Sequence, residues 1–191
     1  MKLRSQVPKV ALFTLTVLLC SGCAGVGNGK TTIKPTSMSS FSADPNAEVG
    51  TRNNPISIGN SVVVNDWKVQ VVSFNKDALK VVKASDPYSD SPASNERYVL
   101  LKVKATYIGE ESGEPSSDLR FKIVGSKGNT FSKSCGYSTD TFNNNGETFS
   151  DATVEGSLCF TVDSNQIAGA TVSVQGDYSA EDRKFLSLDS N

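Results

Sequence analysis

The chain has 191 residues, with 19 basic and 20 acidic side chains, a formal net charge of -1 and no histidine. That length holds one domain with a sizeable core plus leader segments, and a mildly acidic chain without basic runs argues against nucleic acid as a partner. The lack of histidine removes the commonest general base and the commonest zinc ligand, so no Ser-His-Asp or Cys-His site can be built from this chain alone.

Residues 1–9 carry Lys2, Arg4 and Lys9, and residues 10–19 form an uncharged apolar run. A bilayer-spanning helix needs about 20 apolar residues, so this run is too short to span. A basic start, a short apolar run and then small residues predict a cleaved signal peptide over 1–22. The run ends Leu19-Cys20-Ser21-Gly22-Cys23. This resembles the bacterial lipobox, in which small residues precede a cysteine that is lipidated and becomes the first mature residue. It departs from that pattern in having Cys20 where leucine is usual. The expected lipid site is Cys23. Cys20 is a poor acceptor, because bulky Leu18 and Leu19 precede it. Two acyl chains anchor stably where one anchors marginally, so the expected location is the outer face of the cell membrane, with the lipid as the membrane contact. Loss of Lys2, Arg4 and Lys9 with the leader takes the 19 basic residues to 16 against 20 acidic, a net -4.

Gly25-Val26-Gly27-Asn28-Gly29-Lys30-Thr31 resembles the tail of a phosphate-binding loop, but Ala24 stands where its first glycine belongs and neither strand nor helix flanks it. Residues 23–52 are rich in Gly, Ser, Thr, Asn and Pro without apolar periodicity, and are expected to form a lipidated, disordered stalk. A coil of about 28 residues has an r.m.s. reach of roughly 30 Å.

From residue 53 to 191 the pattern has period two. Trp67, Val69 and Val71 share a face. Val99, Leu101, Val103, Ala105 and Tyr107 form a second such row, and Leu119, Phe121 and Ile123 a third. Val154, Gly156, Leu158, Phe160 and Val162 alternate with Glu155, Ser157, Cys159 and Thr161. Val172, Val174 and residues 184–188 complete the set. Such rows are half-buried strands. Gly59-Asn60, Asp86-Pro87, Gly109, Gly113, Gly128-Asn129, residues 143–146 and Gly176-Asp177 favour reversals between them. Residues 75–82 and 164–168 have room for a single helical turn each. Seven or eight short strands predict an all-β, antiparallel β-sandwich, with a barrel as the alternative.

Asn54-Pro55-Ile56-Ser57-Ile58-Gly59, Trp67-Lys68-Val69, Arg97-Tyr98-Val99-Leu100-Leu101-Lys102-Val103 and Glu155-Gly156-Ser157-Leu158-Cys159-Phe160-Thr161-Val162 occur in that order. The arrangement resembles an uncharacterised family of extracellular immunoglobulin-like lipoprotein domains of Gram-positive bacteria. That family is a domain of unknown function, related to the immunoprotective secreted-antigen sandwich of mycobacteria. The resemblance covers residues 50–190. It implies an immunoglobulin-like sandwich and an extracellular location, and supplies no catalytic residues.

Cys135 and Cys159 fall in the exported part, where disulfides persist, and are expected to pair. Alternation puts Cys159 on the face opposite Leu158 and Phe160, so the bridge should tie a polar loop to a strand away from the core. It would differ from the through-core bridge of antibody domains. Cys135 and Cys159 lack the CxxC spacing that suggests redox chemistry. Asp86, Asp90 and Glu96 punctuate one loop and Glu110, Glu111 and Glu114 another. Such clusters suit calcium, but EF-hand spacing is absent and solvated acidic loops are the simpler reading. Trp67, Phe121 and Phe160 suit either a ligand pocket or, better, the core. Residues 143–146 read as an exposed loop tip. No cofactor or metal site is expected.

These residues favour a surface interaction module with a protein or cell-wall partner, contacted through loops 85–95 and 109–117 at the sandwich ends. The alternative is a ligand-binding or accessory subunit of a membrane transporter or sensor. An enzyme, which would have to be a carboxylate-based hydrolase, is the least favoured reading.

Overall fold

The computed structural model describes residues 48–136, 139–176 and 182–189, which lie in one compact unit spanning Ser39–Asn191. The expected signal peptide, Cys23 and the stalk up to residue 47 lie outside the described residues. No helix among the described residues is long and apolar enough to cross a membrane.

In chain order the elements are β1 (Ser61–Val64), β2 (Trp67–Asn75), α1 (Leu79–Ser85), β3 (Glu96–Tyr107), β4 (Ser112–Gly113), α2 (Pro115–Asp118), β5 (Arg120–Val124), β6 (Thr130–Phe131), β7 (Thr148–Phe149), β8 (Thr153–Asp163), β9 (Thr171–Gln175) and β10 (Lys184–Ser187). Short 3-10 turns occupy Phe142–Asn144 and Ser164–Gln166. One sheet has the order β1-β2-β3-β8 and the other β10-β9-β5-β6, with β4 and β7 forming a small ribbon. Every strand pair is antiparallel. The chain crosses between sheets from β3 to β5, returns from β6 to β8, and crosses again from β8 to β9. With β3 on β8 and β5 on β9, this is the Greek-key arrangement of an immunoglobulin-like β-sandwich.

The alternating rows explain the interior. Trp67, Val69, Val71, Val99, Leu101, Val103 and Ala105 from one sheet, and Ile123, Val172, Val174 and Leu186 from the other, are fully buried in a single cluster. Asn65 adopts a positive φ of 49° in the two-residue turn between β1 and β2, a conformation asparagine tolerates better than most residues. A bulge at Val72 shifts the register against β3, so that Val71 and Phe74 both face inward although three residues apart.

Two segments depart from expectation. Residues 48–52 are already tied to the domain, since Phe185 donates its N–H to the Gly50 carbonyl at 2.8 Å and Gly50 donates to Asn54 at 2.8 Å. The sheet therefore captures the end of the expected stalk. The turn expected within 75–82 is instead the seven-residue α1, lying later in the chain. Ala78 and Val82 turn inward with Tyr98, Cys135 and Cys159 as a second buried cluster, and Leu79 and Leu100 pack against it. This outer cluster lies off the sandwich core.

Candidate functional site

Cys135 and Cys159 are joined in a disulfide with a Cα separation of 5.4 Å. Cys159 sits on the outer face of β8, opposite Leu158 and Phe160. Its surroundings differ from the polar ones that the sequence suggested. Both cysteines are buried in the outer cluster beneath α1. The bridge also has a backbone role. Thr161 donates its N–H to the Lys133 carbonyl at 2.8 Å, and Ser134 forms an antiparallel bridge with Phe160. Residues 133–135 thus cover the free edge of β8, which would otherwise offer unpaired backbone groups.

Beside this covered edge lies an open cleft of about 660 Å³, walled by the loop 86–96, Tyr98 of β3, residues 133–136 and Thr161 of β8. The loop owes its shape to internal hydrogen bonds. Tyr88 donates its N–H to an Asp86 carboxylate oxygen at 3.0 Å, Ala93 donates to Glu96 at 3.2 Å, and the Tyr98 hydroxyl donates to the Asp90 carbonyl at 3.1 Å. Lys83 of α1 donates to the Ser89 carbonyl. Burial pushes the Tyr98 phenol above its ordinary value of 10.0, and the negative charges of Asp90 and Glu96 push it further. Asp86, Asp90 and Glu96 all line the cleft and make it acidic. Lys133 is the one cation lining it among the described residues. Thr161 is 5% exposed, and its Oγ1 has no hydrogen-bond partner among the described residues. Tyr88, 94% exposed, projects from the same loop.

A second cleft, of about 370 Å³, lies between Arg120 and Asp140. Its carboxylate is already engaged, since Asp140 accepts the Cys159 N–H at 2.7 Å on one oxygen and the Ser134 hydroxyl at 2.6 Å on the other. These bonds hold the Cys135 loop against β8.

The other sequence candidates separate. Asp86, Asp90 and Glu96 line one cleft, yet no group of three or more carboxylate or cysteine side chains among the described residues is placed to hold a metal ion. Glu110 and Glu111 are exposed, and Glu114 accepts hydrogen bonds from Ser116 and Ser117. Trp67 is wholly buried, edge-on to Tyr107 at 5.0 Å between ring centroids, and donates its indole N–H to Asp118 at 3.0 Å. Phe160 also belongs to the core, while Phe121 is half-buried against it. Residues 143–146 are more than a loop tip. Phe142 just before them is fully buried edge-on to Phe121, and Asn145 donates to the Phe142 carbonyl at 2.9 Å. Loops 85–95 and 109–117 flank opposite ends of the 12-residue β3. At about 3.3 Å per residue they stand roughly 40 Å apart, too far to share one small footprint.

Sequence reading passed over Tyr98, Lys133 and Thr161. Tyr98 and Thr161 were visible only as outward positions on alternating strands. Their meeting depends on the pairing of β3 with β8, Tyr98 opposite Thr161.

No family model matches this chain. No curated protein matches it either. Among solved structures, a candidate lipoprotein of Bacillus subtilis, ycdA, is similar at 16% identity and a TM-score of 0.46, over 68% of this chain and 38% of that one. The chain thus spans well under half the length of ycdA. A conserved hypothetical protein of Bacillus anthracis is similar at 9% identity and a TM-score of 0.46, over 70% of this chain and 95% of that one. An uncharacterised β-sandwich protein of Clostridium difficile is similar at 9% identity and a TM-score of 0.37, over 76% of this chain and all of that one. These structural neighbours are Gram-positive bacterial proteins of undescribed function.

Proposed function

We propose that this chain is an extracytoplasmic lipoprotein, held at the outer face of the cell membrane through Cys23, that acts by binding a partner and performs no chemistry. The observation that carries the binding reading is the open acidic cleft at one end of the sandwich. There a loop shaped by its own hydrogen bonds, which also bears the exposed Tyr88, meets a wall containing the buried Thr161. Loops held on a rigid β-scaffold are where binding residues concentrate. The lipobox-like Ser21-Gly22-Cys23 supports the anchor.

Site-specific photo-crosslinking on intact cells tests this. A photoreactive residue at position 88 should yield discrete adducts, and one at exposed Ile108, beyond the other end of β3, should yield none. Adducts confined to position 108 would move the site to the opposite end. Turnover of a wall-derived substrate by the purified protein, abolished by Asp86→Asn, would replace the binding reading with an enzymatic one.

A further inference from the structure

Resting on the binding reading above, we propose that the cleft between loop 86–96 and β8 receives a primary ammonium group carried on a peptide, such as a lysine side chain. Asp86, Asp90 and Glu96 give the cleft three negative charges against the one positive charge of Lys133, so anions are repelled. Lys83 adds a cation behind the loop, where it is engaged with the Ser89 carbonyl. Calcium needs six to eight oxygens converging at about 2.3–2.6 Å. The three carboxylates are instead spread around a cleft of about 660 Å³, within the size range of organic-ligand sites.

Thr161 supplies the second, independent feature. A buried hydroxyl without a partner costs free energy that a ligand bond recovers, and this one belongs to a residue at the wall of the cleft. An ammonium carries three donors and no acceptor. It can satisfy Thr161 while facing the separated carboxylates. A slender alkyl chain approaches the 5% exposed Thr161 more closely than a ring-borne ammonium does.

The test is an amide chemical-shift titration of the chain from residue 23 onward with Cys23→Ser, which leaves the Ser39–Asn191 unit whole. The probes are acetyl-Gly-Lys-Gly-amide, its norleucine counterpart, glucosamine and calcium chloride. The lysine peptide should shift the amides of Glu96, Tyr98 and Thr161 saturably, and the norleucine peptide should not. Asp90→Asn with Glu96→Gln should weaken binding about tenfold or more, equivalent to about 1.4 kcal/mol. Thr161→Val, which keeps the side-chain shape, should also weaken it. Lys133→Ala should tighten binding by roughly two- to fivefold, the scale of an exposed charge pair. Equal response to both peptides, stronger response to calcium or glucosamine, or no response to any probe overturns the proposal. If crosslinking at position 88 survives the Asp90→Asn, Glu96→Gln pair unchanged, the ammonium assignment fails while the binding reading stands.

Discussion

Gly156 shows how one missing side chain organises this domain. It occupies an inward position on β8 in the row Val154, Gly156, Leu158, Phe160, yet no side chain of its own fills the space. The backbone of Phe142 fills it. A Cβ at 156 would fall well inside contact distance of the Phe142 nitrogen and Cα. Asn145 and Thr141 hold that backbone in place, Asn145 through the Phe142 carbonyl and Thr141 by accepting the Ser157 N–H at 2.9 Å. Gly156→Ala should therefore destabilise the domain by about 1–3 kcal/mol, the usual cost of overpacking a close-packed core. Denaturant unfolding measures it, and an unchanged midpoint would show that the 142–144 turn yields freely. A different device operates at Trp67. Its buried indole N–H finds the Asp118 carboxylate, which also accepts the Glu114 N–H at 2.9 Å and thereby closes the first turn of α2. A core aromatic and a loop terminus thus share one acceptor.

At the scale of elements, the disulfide belongs to the outer cluster rather than to the sandwich core. It links β8 to the segment 133–135 and lies beneath α1. A bridge spanning 24 residues contributes roughly 3.5 kcal/mol by the loop-entropy estimate. Reduction should lower stability by about that amount, loosen residues 133–136 and α1 in hydrogen exchange, and leave the amides of β2, β3 and β9 protected. Global loss of protection on reduction would show that the two clusters unfold as one. Because both sulfurs are buried, reduction should also require local opening and proceed slowly in native buffer. The exposed ion pairs Lys102–Glu155 at 3.6 Å and Lys76–Asp189 at 2.7 Å are minor by comparison, since solvent screens them.

For the whole molecule, the two ends of the sandwich have different characters. One end carries the acidic cleft, and the other carries the β4–β7 ribbon with exposed Phe149 and Ile108. A domain with such unlike ends suits the proposed anchoring, which would orient one of them toward a partner. The proposed tether is testable through Cys23. Cys23→Ala should release the protein into the medium or leave an uncleaved precursor, and acyl labelling should vanish. Labelling that persists in the variant would place the lipid elsewhere or refute the anchor.

The antiparallel β-sandwich was legible in the residues because period-two alternation directly reports which face a strand buries. Trp67-Val69-Val71 and Val99 through Tyr107 needed no tertiary knowledge to be read as inward rows. β1 and the two-residue strands were not readable. Ser-Val-Val-Val of β1 shows no polar alternation, two residues carry too little, and β7 owes its strand character to β4, far back along the chain. The acidic residues of loop 86–96 were visible, but as a solvated run, because sequence spacing does not say what lies across from a loop. By itself the sequence determined the alternating core, the two cysteines available to the domain and the absence of histidine chemistry. Only the tertiary structure decided that β3 lies on β8, because strand pairing depends on long-range register rather than local pattern. That pairing sets Tyr98 opposite Thr161, carries α1 over the disulfide, and turns a polar loop into one wall of a cleft.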